Sequence, residues 1–478
     1  MKPKKVGNYV NGRWLEPKGH KLLDIENPST GDILGQVQLS TAEDVDIAVR
    51  AARAAFCDWS KTPVTRRVDC LYSLRELLKQ NEEEISRTLV AEMGKSLPDA
   101  RAEMKRAGQN IEAACGMPIL QQGDKMIGCA GGIDGEVLHL PVGVFAAITP
   151  FNFPAMAPFW FIPYALATGN TFVLKPSEQV PLTMELITGY IDQTGLPPGV
   201  FNLVNGDKTA ATALIDHPDV NGLSFVGKSS IARLVAEKCA ASNKRYQAMG
   251  SAKNHLVVMP DYNHTDALIR NMSTSCYGCA GQRCMASSAI IAVGDEMYQT
   301  LCERFVSDSK AFVVANPLDP SVADEPRLTG PVISAAAKEF ILKMIDKGIE
   351  EGATLALDGR GIEVPGCEQG HFVGPTVFTD VKPGMEIHKT EIFAPVVVIL
   401  KADALDEAIQ IINDHQYANA CSIYTQNGHY ARKFKLEARC GMIGVNVGVP
   451  APVPFLPFGG MDASMISDIK MQGRSAVS

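Results

Sequence analysis

From residue 142 onward, short and almost wholly apolar runs alternate with longer stretches in which apolar residues recur at helical spacing. The runs 142–148, 171–174, 199–204 and 222–226 read as strands buried on both faces, and the segments 155–167, 182–191, 209–215 and 229–240 between them read as helices. Strand and helix in alternation imply right-handed crossovers, and hence a parallel, doubly wound sheet. A second alternation follows, with strands at 288–293, 376–379 and 395–400 and helices at 296–313 and 335–352. Two such regions predict an α/β chain with two parallel-sheet domains. Ahead of them the pattern differs. Tyr9-Val10-Asn11-Gly12-Arg13-Trp14 is an Asn-Gly hairpin signal. Ser40-Thr41-Ala42-Glu43 reads as a capping box before a helix whose Val45, Ala48, Val49, Ala52 and Phe56 share one face. Residues 64–115 read as a charged helical region broken near Lys95-Ser96-Leu97-Pro98, with Glu82, Glu83 and Glu84 on a solvated face. The Gly- and Pro-rich stretch 441–460 suits an ordered wall or loop, not a helix.

Composition narrows the function classes. With 478 residues, 46% apolar and 21% charged, the chain has enough material for about three domains with large cores. A formal net charge of −8 gives no electrostatic footprint for nucleic acid or an anionic membrane, so any ligand must be held by local sites. The basic start Met1-Lys2-Pro3-Lys4-Lys5 has no apolar run behind it, and no apolar segment of spanning length appears, so neither a secretory signal nor a membrane span is expected. Twelve cysteines in such a chain suggest reduced thiols and a cytoplasmic location.

Three of those cysteines lie in Cys276-Tyr277-Gly278-Cys279-Ala280-Gly281-Gln282-Arg283-Cys284, just before the strand at 288–293. A thiol on a glycine-loosened turn ahead of a rigid strand suits a covalent nucleophile, which assigns chemistry to Cys284. Cys276 and Cys279 read as small buried apolar residues. A metal or iron–sulfur site is the remote alternative, but Cys276, Cys279 and Cys284 have no obvious fourth ligand nearby. At the end of the first parallel strand, Thr149-Pro150-Phe151-Asn152-Phe153-Pro154 holds an amide suited either to an oxyanion or to a helix cap. Lys175-Pro176-Ser177-Glu178 ends the next strand and suits ribose hydroxyls, or a surface ion pair. The usual Gly-x-Gly-x-x-Gly phosphate loop is missing after these strands; Gly227-Lys228-Ser229-Ser230 is the nearest substitute.

Taken in order, the Asn152 segment, Lys175-Pro176-Ser177-Glu178, Gly281-Gln282-Arg283-Cys284, Glu391-Ile392-Phe393-Ala394-Pro395 and Pro457-Phe458-Gly459-Gly460 resemble the aldehyde dehydrogenase superfamily over nearly the whole chain. Met249-Gly250-Ser251-Ala252-Lys253-Asn254-His255 and Gly281-Gln282-Arg283-Cys284-Met285 look most like its coenzyme A-dependent methylmalonate semialdehyde dehydrogenase branch. The resemblance implies a Rossmann-type NAD-binding domain (1–121 and 142–252), a catalytic domain (253–450) and an oligomerisation segment (122–141 and 451–478) whose last strand is cut short at Ala476-Val477-Ser478. It implies a homo-oligomer, dimer or tetramer. Cys284 becomes the nucleophile, with Asn152 and the Cys284 amide holding the oxyanion. Lys175 and Glu178 bind the adenosine ribose, Glu391 the nicotinamide ribose, and Gly227 and Lys228 lie at the pyrophosphate. Thr149, Pro150, Phe151, Met249 and Phe393 also border the cofactor, while Phe153 and Phe458 border the substrate.

This sequence departs from the family in two places. Lys228 stands where the family usually has Ser, and it is the one local argument for NADP; Glu178 favours NAD, since a carboxylate repels a 2'-phosphate. Met249 stands where hydrolytic relatives carry the Glu that activates water, and no Asp or Glu occurs between Glu237 and Asp261. Without that base a thiol is the better acyl acceptor, which points to coenzyme A. Arg283 and Arg106 are then expected to clamp the carboxylate of an acid semialdehyde such as malonate or methylmalonate semialdehyde. The alternative is hydrolytic oxidation of another small anionic aldehyde, dependent on NAD or NADP.

Overall fold

Five strands, Val144–Ile148, Thr171–Lys175, Phe201–Leu203, Val220–Val226 and Arg245–Met249, pair in parallel, because helical segments between them carry the chain back across the sheet. Their side chains are mostly buried, as a sheet covered on both faces requires. The computed structural model describes residues 4–322, 325–467 and 470–477. Across this eight-stranded sheet the order is Met465–Ile466, Arg245–Met249, Val220–Val226, Val144–Ile148, Thr171–Lys175, Phe201–Leu203, Asn8–Val10, Arg13–Leu15. Strand order reverses at Val144–Ile148: the chain first builds outward through Thr171–Lys175, then crosses to Val220–Val226 on the other side. A crevice opens outside the carboxyl ends at such a point. Thr149, Lys175 and Gly227 all follow strand ends there.

The second sheet has seven strands in the order Thr354–Leu357, Thr376–Thr379, Val396–Ala402, Ala289–Val293, His255–Val258, Ala420–Tyr424, Met442–Val445. All its pairings are parallel except that of the edge strand Thr354–Leu357. The two doubly wound sheets expected from the alternation are therefore present. A separate hairpin, Lys125–Ala130 with Ile133–Glu136, stands apart with Met126, Ile127 and Ile133 exposed.

Several local expectations change. The hairpin at Asn11-Gly12 forms with φ of 52° and 74°, the left-handed pair a tight turn needs. The capping box sits one residue later than expected: Thr41 caps the helix Ala42–Trp59 and Asp44 returns the bond. Asn81 adds a second break in the charged region, giving Val64–Gln80, Glu82–Met93 and Leu97–Cys115. The helix expected over 155–167 divides into Met156–Phe159 and Ile162–Ala167, with prolines in each first turn or interior. The strand Met442–Val445 emerges from the stretch expected to be loop, because its pairing with Ala420–Tyr424 outweighs the local Gly and Pro content. Within 451–478, expected to belong to an oligomerisation segment, Met461–Asp462 pairs with Tyr417–Ala418 and Met465–Ile466 joins the first sheet beside Met249. Among the described residues no helix is long and apolar enough to cross a membrane.

Candidate active site

The helix Thr265–Tyr277 ends at the segment that carries Cys284. Cys279 and Ala280 both adopt φ 53°, a conformation costly for residues with a side chain and found where a site is held against strain. Gly281 follows at φ 68°, and a Cβ there would lie 2.0 Å from the Ala394 carbonyl oxygen, so only glycine lets the two loops touch. The Cys284 carbonyl accepts from Asn254 Nδ2 at 2.8 Å and from Asn419 Nδ2 at 3.0 Å. Gln282, fully buried, accepts from the Ile333 amide at 3.0 Å. The turn is thus fixed by backbone-directed amides before it enters Ala289–Val293. Cys276 and Cys279 are 2% and 3% exposed, inside the protein as expected. Among the described residues no group of three or more His, Cys, Asp or Glu is placed to hold a metal.

Asn152 reaches this turn. Its Nδ2 donates to the Gln282 carbonyl at 3.0 Å, which orients the amide two residues from the thiol and leaves its second hydrogen unassigned. Cys284, Asn254, Arg283, Glu391 and Phe393 line one small cleft. The charges there are strongly displaced. Burial, reinforced by Glu391, pushes the Cys284 thiol up to about 12. Burial raises the Glu391 carboxyl to about 7, although it accepts from the Ala252 amide at 3.0 Å. Burial lowers the Lys253 ammonium to about 8; it donates to the carbonyls of Ile387 at 2.8 Å and Thr390 at 3.1 Å. Titratable groups displaced in concert inside a cleft mark a reactive site.

The dinucleotide residues gather along the strand ends. Thr149 is 4% exposed and its hydroxyl has no partner in the protein. Lys175 Nζ donates to Glu178 Oε2 at 3.1 Å and to the Pro176 carbonyl at 2.8 Å, and burial lowers its pKa. The helix Ser229–Ala241 begins after Lys228 without a side-chain cap from that residue, and its first amide makes only a long bond, Ser229 N–H to Ser251 Oγ at 3.4 Å, so the turn still suits an anion. Gly227 keeps that approach clear: a Cβ there would meet the Phe225 ring at 2.6 Å. Phe151 and Phe393 meet edge to face at 5.8 Å, with Phe393 at φ 60°. An orphan hydroxyl, a ribose-suited Lys–Glu pair and an uncapped helix start fit a dinucleotide. Pro150 lies between Thr149 and Phe151 on the same strand exit. Met249 is buried and paired in register with Met465, so the cleft has no carboxylate at that position.

The arginines are arranged differently from a simple pair converging on a pocket. Arg283 Nη2 donates to Asp99 Oδ1 at 2.5 Å and its Nε donates to Cys279 Sγ at 3.3 Å. Burial opposes ionisation of Asp99, but Arg283 and Lys95 outweigh it and hold the carboxyl low. Arg106 donates to Gln109 at 2.8 Å. On the helix Leu97–Cys115, Asp99, Glu103 and Arg106 lie at i, i+4 and i+7 and share one face, the first and last about 10 Å apart along the axis; Arg283 reaches that face through Asp99. Phe458 packs edge to face on Trp160 at 5.0 Å, and Phe153 lies under Lys95 Nζ, 4.0 Å from the ring centroid.

Lys95, Asp99, Glu103 and Asn419 touch the site from distant points of the sequence, and no spacing pattern announces them. Lys253 and Asn254 lie within a stretch that resemblance singled out, but their bonds to carbonyls appear only in the fold.

Residues 14–477 match the aldehyde dehydrogenase family. The chain is 43% identical over 470 residues to malonate-semialdehyde dehydrogenase 1 of Geobacillus kaustophilus, covering 98% of this chain and 94% of that protein. A methylmalonate-semialdehyde dehydrogenase from Sinorhizobium meliloti 1021, solved with NAD, superposes at TM-score 0.96 with 38% identity, covering 100% of this chain and 96% of the other. The methylmalonate-semialdehyde dehydrogenase of Oceanimonas doudoroffii gives TM-score 0.96 and 37% identity, over 99% and 96% of the two chains. A match that runs through both sheets and every segment of the cleft leaves one assignment: the chain belongs to the aldehyde dehydrogenase family.

Proposed function

We propose that the protein oxidises a small acid semialdehyde, of the malonate or methylmalonate type, with NAD and passes the acyl group to coenzyme A. The observation that carries this reading is Met249, an apolar side chain in an apolar setting where a water-activating carboxylate would be needed. Relatives matched over nearly their whole length carry the semialdehyde names.

In this reading the Cys284 thiolate adds to the aldehyde carbon, and the oxygen becomes an oxyanion held by the Asn152 amide and the Cys284 N–H. Thr149, Pro150, Phe151, Lys175, Glu178, Gly227, Lys228, Met249, Glu391 and Phe393 border NAD: Lys175 and Glu178 at the adenosine ribose, Glu391 at the other ribose, Phe393 beside the ring, Lys228 at the pyrophosphate as a point charge. NAD, when bound, accepts the hydride. The same oxyanion donors serve again when the coenzyme A sulfur attacks the thioacyl carbon and Cys284 leaves as thiolate. With a 3-oxo acid as substrate the bond between the α-carbon and the distal carboxylate breaks, carbon dioxide departs, and the electron pair left behind passes to the thioester carbonyl as an enolate that takes a proton at carbon. Arg283, with Arg106 on the neighbouring helix face, recognises that carboxylate, and Phe153 and Phe458 wall the aliphatic part.

The domain division follows the same reading: 1–121 with 142–252 for NAD, 253–450 for catalysis, 122–141 with 451–478 for assembly. Exposed Met126, Ile127 and Ile133 on the hairpin support a homo-oligomer, dimer or tetramer, and the reduced thiols a cytoplasmic location.

One observation favours a second reading. Glu391, raised to about 7, is basic enough to activate water, which would give a free acid as product. Purified protein with malonate semialdehyde and NAD, followed by NADH absorbance, separates the two. Sustained turnover is expected only with coenzyme A, with acetyl-coenzyme A as product; full turnover without a thiol refutes the acylating reading.

A further inference from the structure

Lys95 and Glu103 are the most deeply buried ion pair of the site, and nothing in the chemistry above uses them. Lys95 Nζ lies 2.5 Å from Glu103 Oε2, and both side chains have no exposure. Two charges taken out of water cost several kcal/mol each unless every donor and acceptor is met. Here they are met. Lys95 has three hydrogens: one serves Glu103, one serves the Asn152 carbonyl at 2.7 Å, and the third side of the ammonium faces the Phe153 ring at 4.0 Å. Glu103 Oε1 accepts from the amides of Ala155 at 2.9 Å and Met156 at 3.0 Å.

These contacts fall on one segment. Residues 152–155 lie between the strand Val144–Ile148 and the short helix Met156–Phe159, tied to regular structure by the bond from the Ala157 amide to the Phe153 carbonyl at 3.1 Å. Met156–Phe159 has no side-chain cap from its own flanking residue. Lys95 holds the segment at Asn152 and Glu103 holds it at 155 and 156, from a loop and a helix that belong to a different part of the chain. The backbone of Asn152 is thereby fixed at its carbonyl while its side chain is fixed at the Gln282 carbonyl. An amide tethered at both ends has one orientation toward Cys284.

We infer that Lys95 and Glu103 are positioning residues for the oxyanion amide of Asn152. This rests on the reading of Asn152 as an oxyanion donor. A buried pair that served only stability would be neutral to replacement by uncharged groups of similar size; a positioning pair would not be.

The test uses the full-length enzyme with malonate semialdehyde, NAD and coenzyme A. Lys95→Met combined with Glu103→Gln leaves no lone buried charge and keeps a side-chain oxygen for the 155 and 156 amides, so it removes chiefly the bond to the Asn152 carbonyl. Losing one oxyanion donor costs ~10²–10³ in kcat, so misorienting it is expected to lower kcat by ~10–100-fold. KM for NAD and the rate of Cys284 alkylation by iodoacetamide, which forms no oxyanion, are expected to stay within about threefold. In an Asn152→Ala background the double substitution is expected to add no further loss. A smaller kcat loss is expected for Glu103→Gln alone, again absent in the Asn152→Ala background, and this single variant carries the test if the double one does not fold. Unchanged kcat, a parallel fall in alkylation, or losses that multiply with Asn152→Ala would each overturn the inference. If Asn152→Ala itself keeps full activity, the oxyanion reading fails and this inference with it; if Asn152→Ala is impaired while the Lys95 and Glu103 variants are not, only the inference fails.

Discussion

In the free enzyme Cys284 should be a slow nucleophile, and its reactivity should report on Glu391. Burial and the neighbouring carboxylate carry the thiol from an ordinary value of 9.0 up to about 12. At pH 8 that leaves about one thiolate in 10⁴, against about one in ten for the ordinary thiol. The more basic thiolate is also the better nucleophile, with a slope of ~0.4–0.5 in log rate per pKa unit, so the net penalty is about fiftyfold, not a thousandfold. The assay is loss of activity on incubation with iodoacetamide from pH 7 to 11 without NAD; scoring activity isolates Cys284 from the exposed Cys57 and Cys129. The log rate is expected to rise with unit slope and reach no plateau below about pH 11. Glu391→Gln removes the second cause of the shift and should speed inactivation, by an increment that appears as Glu391 ionises near pH 7 and holds above it. A plateau centred at or below pH 8, or slower inactivation in Glu391→Gln, would refute the argument and mean that the free enzyme already holds a thiolate.

Other outcomes follow from the same geometry. Met249→Glu restores a carboxylate beside the thioacyl group and is expected to raise coenzyme A-independent turnover about tenfold, the low end of what a general base supplies; no increase in a folded variant counts against the role given to Met249. Arg283→Met is expected to lower kcat/KM for malonate semialdehyde by ~10–100-fold, the worth of a charged hydrogen bond, with little change for propionaldehyde; equal losses on both substrates would place Arg283 in packing, not recognition. For stability, the folded-state pKa of Glu391 is raised to about 7, so its contribution is fully present below the unfolded value near 4.5 and is lost as pH rises through 7. Glu391→Gln should therefore match the parent in urea unfolding near pH 4.5 and exceed it at pH 8 by at most ~3 kcal/mol, with a pH-independent difference speaking against the displaced carboxyl.

What the sequence makes legible is what repeats along it. Runs such as Ala289–Val293 and Val396–Ala402 are apolar on both faces, so they read as covered parallel strands without any tertiary information. Asn11-Gly12 reads as a turn because few other residue pairs reach those φ values. Cys284 is legible because a glycine-flanked thiol before a rigid strand is an uncommon arrangement. The division of the helix at 155–167 follows from Pro158 and Pro163, local residues that the helical length of the segment masks; the strand Met442–Val445 was not legible, since a long-range partner, Ala420–Tyr424, decides against local preference.

The same distinction applies inside the site, and it explains why Arg106 and Arg283 looked alike in sequence but differ in the fold. Each is a basic residue near a candidate pocket. Arg283 is anchored by Asp99, whose other oxygen accepts from the Cys279 amide at 3.2 Å, so a single carboxylate ties the first turn of Leu97–Cys115 to the strained approach to Cys284. One and two turns further along that helix, Glu103 fastens the Asn152 segment and half-buried Arg106 donates to Gln109. Spacing of 99, 103 and 106 places all three on one face only if the helix runs unbroken through them, and it does so because Ser96 caps it and Pro98 sits in its first turn. That helix face, more than any one arginine, is what registers the Asn152 segment and the Cys284 loop against one another.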